Sequence, residues 1–99
     1  MVKRIVMLQL LPGTEDRFMN IFNITKDEIR SQKGCLSLEI LRSSNKTDSS
    51  IWTISLWQSA DDLETYRASS LFQKTWADVK PLFAEKAMAW TLSSIELLP

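Results

Sequence analysis

Residues 2–11 carry apolar side chains on both faces of one extended segment, and a chain of 99 residues has few ways to cover both. By the two-residue period of a strand, Val2, Arg4, Val6, Leu8 and Leu10 fall on one side. Lys3, Ile5, Met7, Gln9 and Leu11 fall on the other. A strand roofed on one side alternates apolar with polar residues. Here something must cover the second side as well. The length predicts one domain over residues 1–99, since domains run from roughly 50 to 250 residues.

Pro12-Gly13 turns the chain, and Thr14 is placed to cap a helix whose first turn carries Glu15 and Asp16. Phe18, Ile21, Phe22, Thr25 and Ile29 recur at three- and four-residue steps, and Lys33-Gly34 is expected to close the helix. Residues 35–42 alternate, with Leu36, Leu38 and Ile40 against Cys35, Ser37 and Glu39, and the polar run 43–50 reads as a hairpin loop. A third strand, 51–57, puts Trp52, Ile54 and Leu56 on one face and Thr53, Ser55 and Trp57 on the other.

Ser59 begins a short helix bearing Leu63 and Tyr66. Ser69 or Ser70 caps the next, with Leu71, Phe72, Thr75, Trp76 and Val79 along one side, and Pro81 ends or kinks it. Residues 87–97 read as a last strand. The order is β-α-β-β-α-β, the ferredoxin-like α+β sandwich of a four-stranded antiparallel sheet with helices on one face. The opposite face stays apolar, and a second copy packed about a two-fold axis is its simplest cover. A homodimer is therefore expected.

Several functions are excluded by composition. There is no histidine, which removes Ser-His-Asp and Cys-His catalysis and His-ligated zinc or haem. Lys and Arg number 12, as do Asp and Glu, so the net charge is zero. That balance argues against nucleic acid and against a polybasic membrane contact. Cys35 is the only cysteine, which fits a reducing, cytoplasmic setting, and nothing basic beside it in sequence activates the thiol. The first apolar run is too short to span a bilayer. Four tryptophans point instead to large flat apolar surfaces.

The segment from Trp57-Gln-Ser-Ala-Asp-Asp through Leu63, Tyr66 and Ser69 to Phe72, together with Gly34-Cys35, resembles the antibiotic biosynthesis monooxygenase domain. The resemblance covers the whole chain, and Phe72 to Trp90 is similar to uncharacterised bacterial members. It implies a dimeric α+β barrel. It also implies an oxygenase that uses no metal, flavin or other cofactor, in which a reduced, ionisable quinol-type substrate supplies electrons to oxygen. A haem-degrading branch uses a histidine on the second helix and an asparagine on the first strand. The matching positions here are Trp76 and Val6, so haem degradation is not expected.

The resemblance makes Trp57 and Tyr66 the candidate catalytic residues, with Phe22, Ser55, Phe72 and Trp76 lining an apolar pocket for a small aromatic ligand. Trp57 can equally plug the end of the barrel as a core residue. Tyr66, a phenol with an ordinary pKa of about 10, suits hydrogen-bond donation to an oxyanion better than proton abstraction, or it bridges core and solvent. Arg4 and Arg67 can pair with a substrate anion, but a solvated or salt-bridged surface role is the one expected for each. Asp61 and Asp62 are helix-start residues, since adjacent helical positions point about 100° apart. The rival to an oxygenase is a non-catalytic ligand-binding or structural dimer of the same fold.

Overall fold

The computed structural model describes all 99 residues, Met1–Pro99. Strand β1 (Val2–Gln9) leads into helix α1 (Glu15–Arg30), then strands β2 (Cys35–Arg42) and β3 (Ser50–Trp57). Helices α2 (Ala60–Arg67) and α3 (Ser70–Val79) follow, then a 3-10 turn at Lys80–Leu82 and strand β4 (Met88–Ser93). The sheet order is β2-β3-β1-β4 and every pairing is antiparallel. This is the ferredoxin-like α+β arrangement expected from the pattern. No helix is long and apolar enough to cross a membrane.

Local chemistry accounts for most boundaries. The Ser59 hydroxyl accepts the Asp62 N–H at 3.1 Å, and the Ser69 hydroxyl accepts that of Phe72 at 3.1 Å, so Ser69 rather than Ser70 caps α3. Pro81 lies in the 3-10 turn that follows α3. Thr14 departs from expectation. Its backbone is already helical, and its hydroxyl donates to the Leu11 carbonyl at 2.7 Å instead of capping α1.

Three further boundaries differ from the sequence pattern. Helix α1 stops at Arg30, where the Ser31 N–H donates to the Asp27 carbonyl and the Gln32 N–H to that of Ile29. Residues 31–34 then turn the chain, and Gly34, at φ +81°, delivers it into β2. Between Cys35 and Ser37 the β2–β3 register shifts, which drops Leu36 from the pairing and leaves it 37% exposed. Cys35 thereby opposes Trp57 and shares the face of Leu38 and Ile40, the reverse of simple alternation. Strand β4 ends at Ser93, four residues short of the expected 97, because Ser93 already pairs with Val2, the first residue of β1.

Buried side chains beneath the helices form two separate clusters. One joins Leu8, Leu10 and Ile51 of the sheet side to Phe18, Val79 and Leu82. The other joins Val2, Cys35 and Trp57 to Leu63 of α2. Along β1 and β3 the inward side chains therefore start in the second cluster, at Val2 and Trp57, and end in the first, at Leu8 and Ile51. Between them, Val6 packs against the first cluster and Tyr66 against the second.

The opposite face of the sheet carries no helix. In register it presents Trp52, Met7 and Met88 in one row, and Ile54, Ile5 and Trp90 in the next. The Trp52 and Trp90 rings stack at 6.2 Å. Met88 is 50% exposed, Trp90 38% and Leu92 51%.

Gly34 gives a direct test of the turn geometry. A Cβ there would run into the Asp62 carboxylate, and its positive φ disfavours any L side chain. Gly34→Ala should lose on the order of 1–2 kcal/mol from the backbone alone, and more from the collision. Urea denaturation should show part of the loss recovered in an Asp62→Ala background.

Candidate functional site

Between the two clusters lies a cavity of about 130 Å³. Its floor is the middle of the sheet, where the register aligns Leu38, Ser55, Arg4 and Thr91 in one row across four strands. The neighbouring row contributes Thr53 and Val6. Phe18, Ile21 and Phe22 of α1 form one wall, and Tyr66, Phe72 and Trp76 of α2 and α3 form the other. An engineered apolar cavity of about 150 Å³ accepts benzene. The enclosed part here suits one aromatic ring, with anything larger extending through the open side.

The aromatic wall is one connected series. Trp57 stacks on Tyr66 with ring centroids 5.1 Å apart, and Tyr66 meets the edge of Phe72 at 5.3 Å. Phe72 stacks on Trp76 at 5.9 Å, and Trp76 meets Phe83 at 5.4 Å. Such pairs contribute roughly 0.5–1.5 kcal/mol each beyond their burial. The wall is thus held in place before any ligand arrives.

Of the residues singled out in the sequence, Phe22, Ser55, Tyr66, Phe72 and Trp76 all line the cavity. Trp57 stands one layer behind them, fully buried against Tyr66. Its indole N–H donates to the Ser55 hydroxyl at 2.9 Å, so it fixes the orientation of a lining residue from behind. Thr53 and Ser55 face the helices as their shared strand parity requires, while Trp52 and Trp90 lie on the bare face.

Arg4 and Arg67 both line this cavity, where the sequence alone favours a solvated or salt-bridged surface role for each. Arg4 donates through Nη1 to the Thr91 hydroxyl at 2.8 Å. Burial holds its pKa below the ordinary arginine value, the like charge of Arg67 lowers it further, and Glu64 opposes both. Arg67 donates through Nη1 to Glu64, 3.0 and 3.3 Å from the two carboxylate oxygens. Its Nε is buried with no hydrogen-bond partner, as is the Thr75 hydroxyl. The signal was present in the sequence: Arg4 is the one charged residue among the inward positions of the first strand.

Tyr66 is the only tyrosine. Burial first, and then the Cys35 thiol, push its pKa up to about 12. Burial likewise raises Cys35 against the opposing effects of Arg30 and the Ser37 backbone. Tyr66 therefore keeps its proton at any ordinary pH and can donate a hydrogen bond, and the cavity lining contains no carboxylate and no imidazole. No group of three or more potential ligand side chains is placed to hold a metal ion.

The sequence profile of a family described as antibiotic biosynthesis monooxygenase matches residues 1–78. SnoaB, a cofactor-independent oxygenase from Streptomyces nogalater, superimposes with a TM-score of 0.86 at 20% identity, covering 99% of this chain and 96% of its own. A Mycobacterium tuberculosis protein superimposes at 0.88 with 16% identity, covering 99% and 98%. A Methanosarcina mazei protein does so at 0.85 with 13% identity, covering 91% and 88%. No curated protein sequence matches the chain. At these identities the structural likenesses establish the fold alone.

The lone tyrosine makes the buried wall directly measurable. The phenolate absorbance of the folded protein should rise with a midpoint near 12 rather than near the free value of 10. Because the folded pKa is raised, stability is complete below pH ~10 and falls as pH rises through about 12. Tyr66→Phe should lose less of its melting temperature across that interval than the wild type. Equal losses would separate the alkaline transition from Tyr66.

Proposed function

The chain belongs to the antibiotic biosynthesis monooxygenase family, and from that premise we propose that it is a cofactor-independent monooxygenase acting on a small, flat, quinol-type aromatic. The observation that carries this reading is a cavity sized for one ring, walled by Phe22, Phe72 and Trp76, whose polar groups can donate hydrogen bonds but include no base. In a reaction that uses neither flavin nor metal, the electrons come from the substrate. An ionised quinol can pass one to oxygen, and recombination at carbon gives a hydroperoxide. Loss of water from that intermediate leaves a carbonyl. One oxygen atom enters the product, the other leaves as water, and no outside reductant is consumed.

In this scheme Tyr66 is the catalytic residue, donating its hydrogen bond to the oxyanion. Such a donor acts most strongly where water is excluded. Ser55 and Thr75 would meet substrate hydroxyl groups. Trp57 is a positioning residue that holds both Tyr66 and Ser55. The cationic pair Arg4 and Arg67 favours the ionised substrate over its neutral form. The proton leaves to solvent, because no lining residue is equipped to take it.

The same reading includes a homodimer, closed through the bare face and housed in a reducing cytoplasm that keeps Cys35 a thiol. Support for the dimer comes from the half-exposed Met88, Trp90 and Leu92 beside the stacked Trp52. An apolar area of that kind is seldom left in water. Light scattering should give twice the chain mass for the wild type and the single mass for Trp90→Glu. A monomeric wild type would refute the dimer.

Oxygen uptake tests the activity. Reduced menadione or a dihydroxynaphthalene in air should consume oxygen faster with the protein than without it, and Tyr66→Phe should lose on the order of 10²-fold in rate. The rate should rise with pH, and its midpoint should follow the pKa of whichever substrate is used. A midpoint that stays fixed across substrates would place the ionising group on the protein. No acceleration, with no shift in melting temperature across flat aromatics, would leave a non-catalytic dimer of the same fold.

A further inference from the structure

We propose that Arg4 and Arg67 form a carboxylate subsite in the aromatic cavity, and that the natural ligand is a flat aromatic acid bearing one permanently ionised group. The proposal rests on the cavity being the reaction site and names the substrate class it takes.

Charge balance is the first argument. Two guanidinium groups border the cavity, and none of its lining residues is a carboxylate. Glu64 offsets one of them, gripping Arg67 through Nη1 from a side chain that is 62% exposed. One positive charge is left over. Like charges drawn together in a partly desolvated place repel each other, and an anion between them relieves that repulsion.

Unused hydrogen-bonding capacity is the second. Arg67 Nε is buried and has no partner, and leaving such a donor unsatisfied costs roughly 1–3 kcal/mol. Arg4 uses Nη1 on Thr91, which fixes the group while its other N–H donors remain available to a ligand. Ser55, opposite Arg4 in the strand register, adds a hydroxyl already oriented by Trp57.

Donor chemistry then selects the ligand. Arginine keeps its proton at any ordinary pH, so the pair cannot ionise a ligand by taking a proton from it. A planar fork of N–H groups matches a planar carboxylate in two parallel bonds. Arg4 and Arg67 are partly buried around the same cavity as the rings of Phe22, Phe72 and Trp76. An acid would therefore lay its ring against those side chains and its carboxylate between the arginines.

Isothermal titration calorimetry with 2-naphthoate and its neutral isostere 2-naphthamide tests this without turnover. The acid should bind wild-type protein about tenfold tighter or better, and the gap should narrow as salt is added. Arg67→Met and Arg4→Met should each shrink the gap severalfold while leaving the amide's affinity within about twofold. If either variant fails to fold, the acid–amide gap and its salt dependence in the wild type decide the matter.

Equal binding of acid and amide overturns the proposal, as does binding of neither or a gap that survives in both folded variants. So does a phenol such as 2-naphthol gaining affinity on ionisation while the acid shows no advantage. Accelerated oxygen uptake by neutral quinols, with no preference for acids, would sink the subsite and leave the oxygenase reading intact. A clear acid preference, with no uptake by any hydroxynaphthoate, would do the reverse.

Discussion

The pairing register of β1 with β3 is the constraint on which the rest of the molecule depends. It sets Arg4 opposite Ser55 and Val6 opposite Thr53, midway along two strands whose inward ends are Val2 with Trp57 and Leu8 with Ile51. The ends build hydrophobic clusters, and the polar middle cannot join either. Side chains leave about 130 Å³ unfilled there, bordered by charge and aromatic rings, which is the lining a small-molecule site requires.

Alternate residues of β4 belong to different parts of the molecule. Thr91 fixes Arg4 from the end of the cavity's floor row, whereas Met88, Trp90 and Leu92 face outward on the bare side. All six residues of β4 are exposed in the single chain, and the strand pairs only with β1. In the proposed dimer, covering Trp90 and Leu92 would also steady Thr91 and, through it, Arg4. Assembly and ligand recognition would then be coupled through the backbone of one short strand, with no contact between the partner and the ligand.

Much of this was legible in the sequence because strand alternation and helix periodicity are local. The helix stripes, the serine caps and the shared face of Thr53 and Ser55 follow from spacing alone, whereas which face of that strand meets the helices does not. What was not legible depends on a neighbour. Ile95 and Leu97 extend the apolar alternation of the last strand, yet Ser93 already meets Val2, and β1 has nothing further to offer. The shift at Cys35–Ser37 reverses one face assignment, and no residue type announces it. Trp57 was expected as wall or plug, and the stacked Tyr66 is what stands between it and the cavity. Arg4 and Arg67 lie 63 positions apart, and only the packing of α2 on the sheet beside β3 brings both to one cavity.

Tyr66 joins the two halves of the site's chemistry. Its ring is held between Trp57 and Phe72, within the aromatic wall, while its hydroxyl belongs to the polar inventory of the cavity. Burial makes the phenol a poorer acid, which suits a group that must donate a hydrogen bond without surrendering the proton. The arginines supply fixed charge on the sheet side and at the end of α2. Neither group abstracts a proton, so the ease with which a substrate ionises must be a property of the substrate, adjusted by its surroundings. A pocket of this kind discriminates among ligands first by charge and flatness. Any rate advantage would then come from how well it keeps the anion dry.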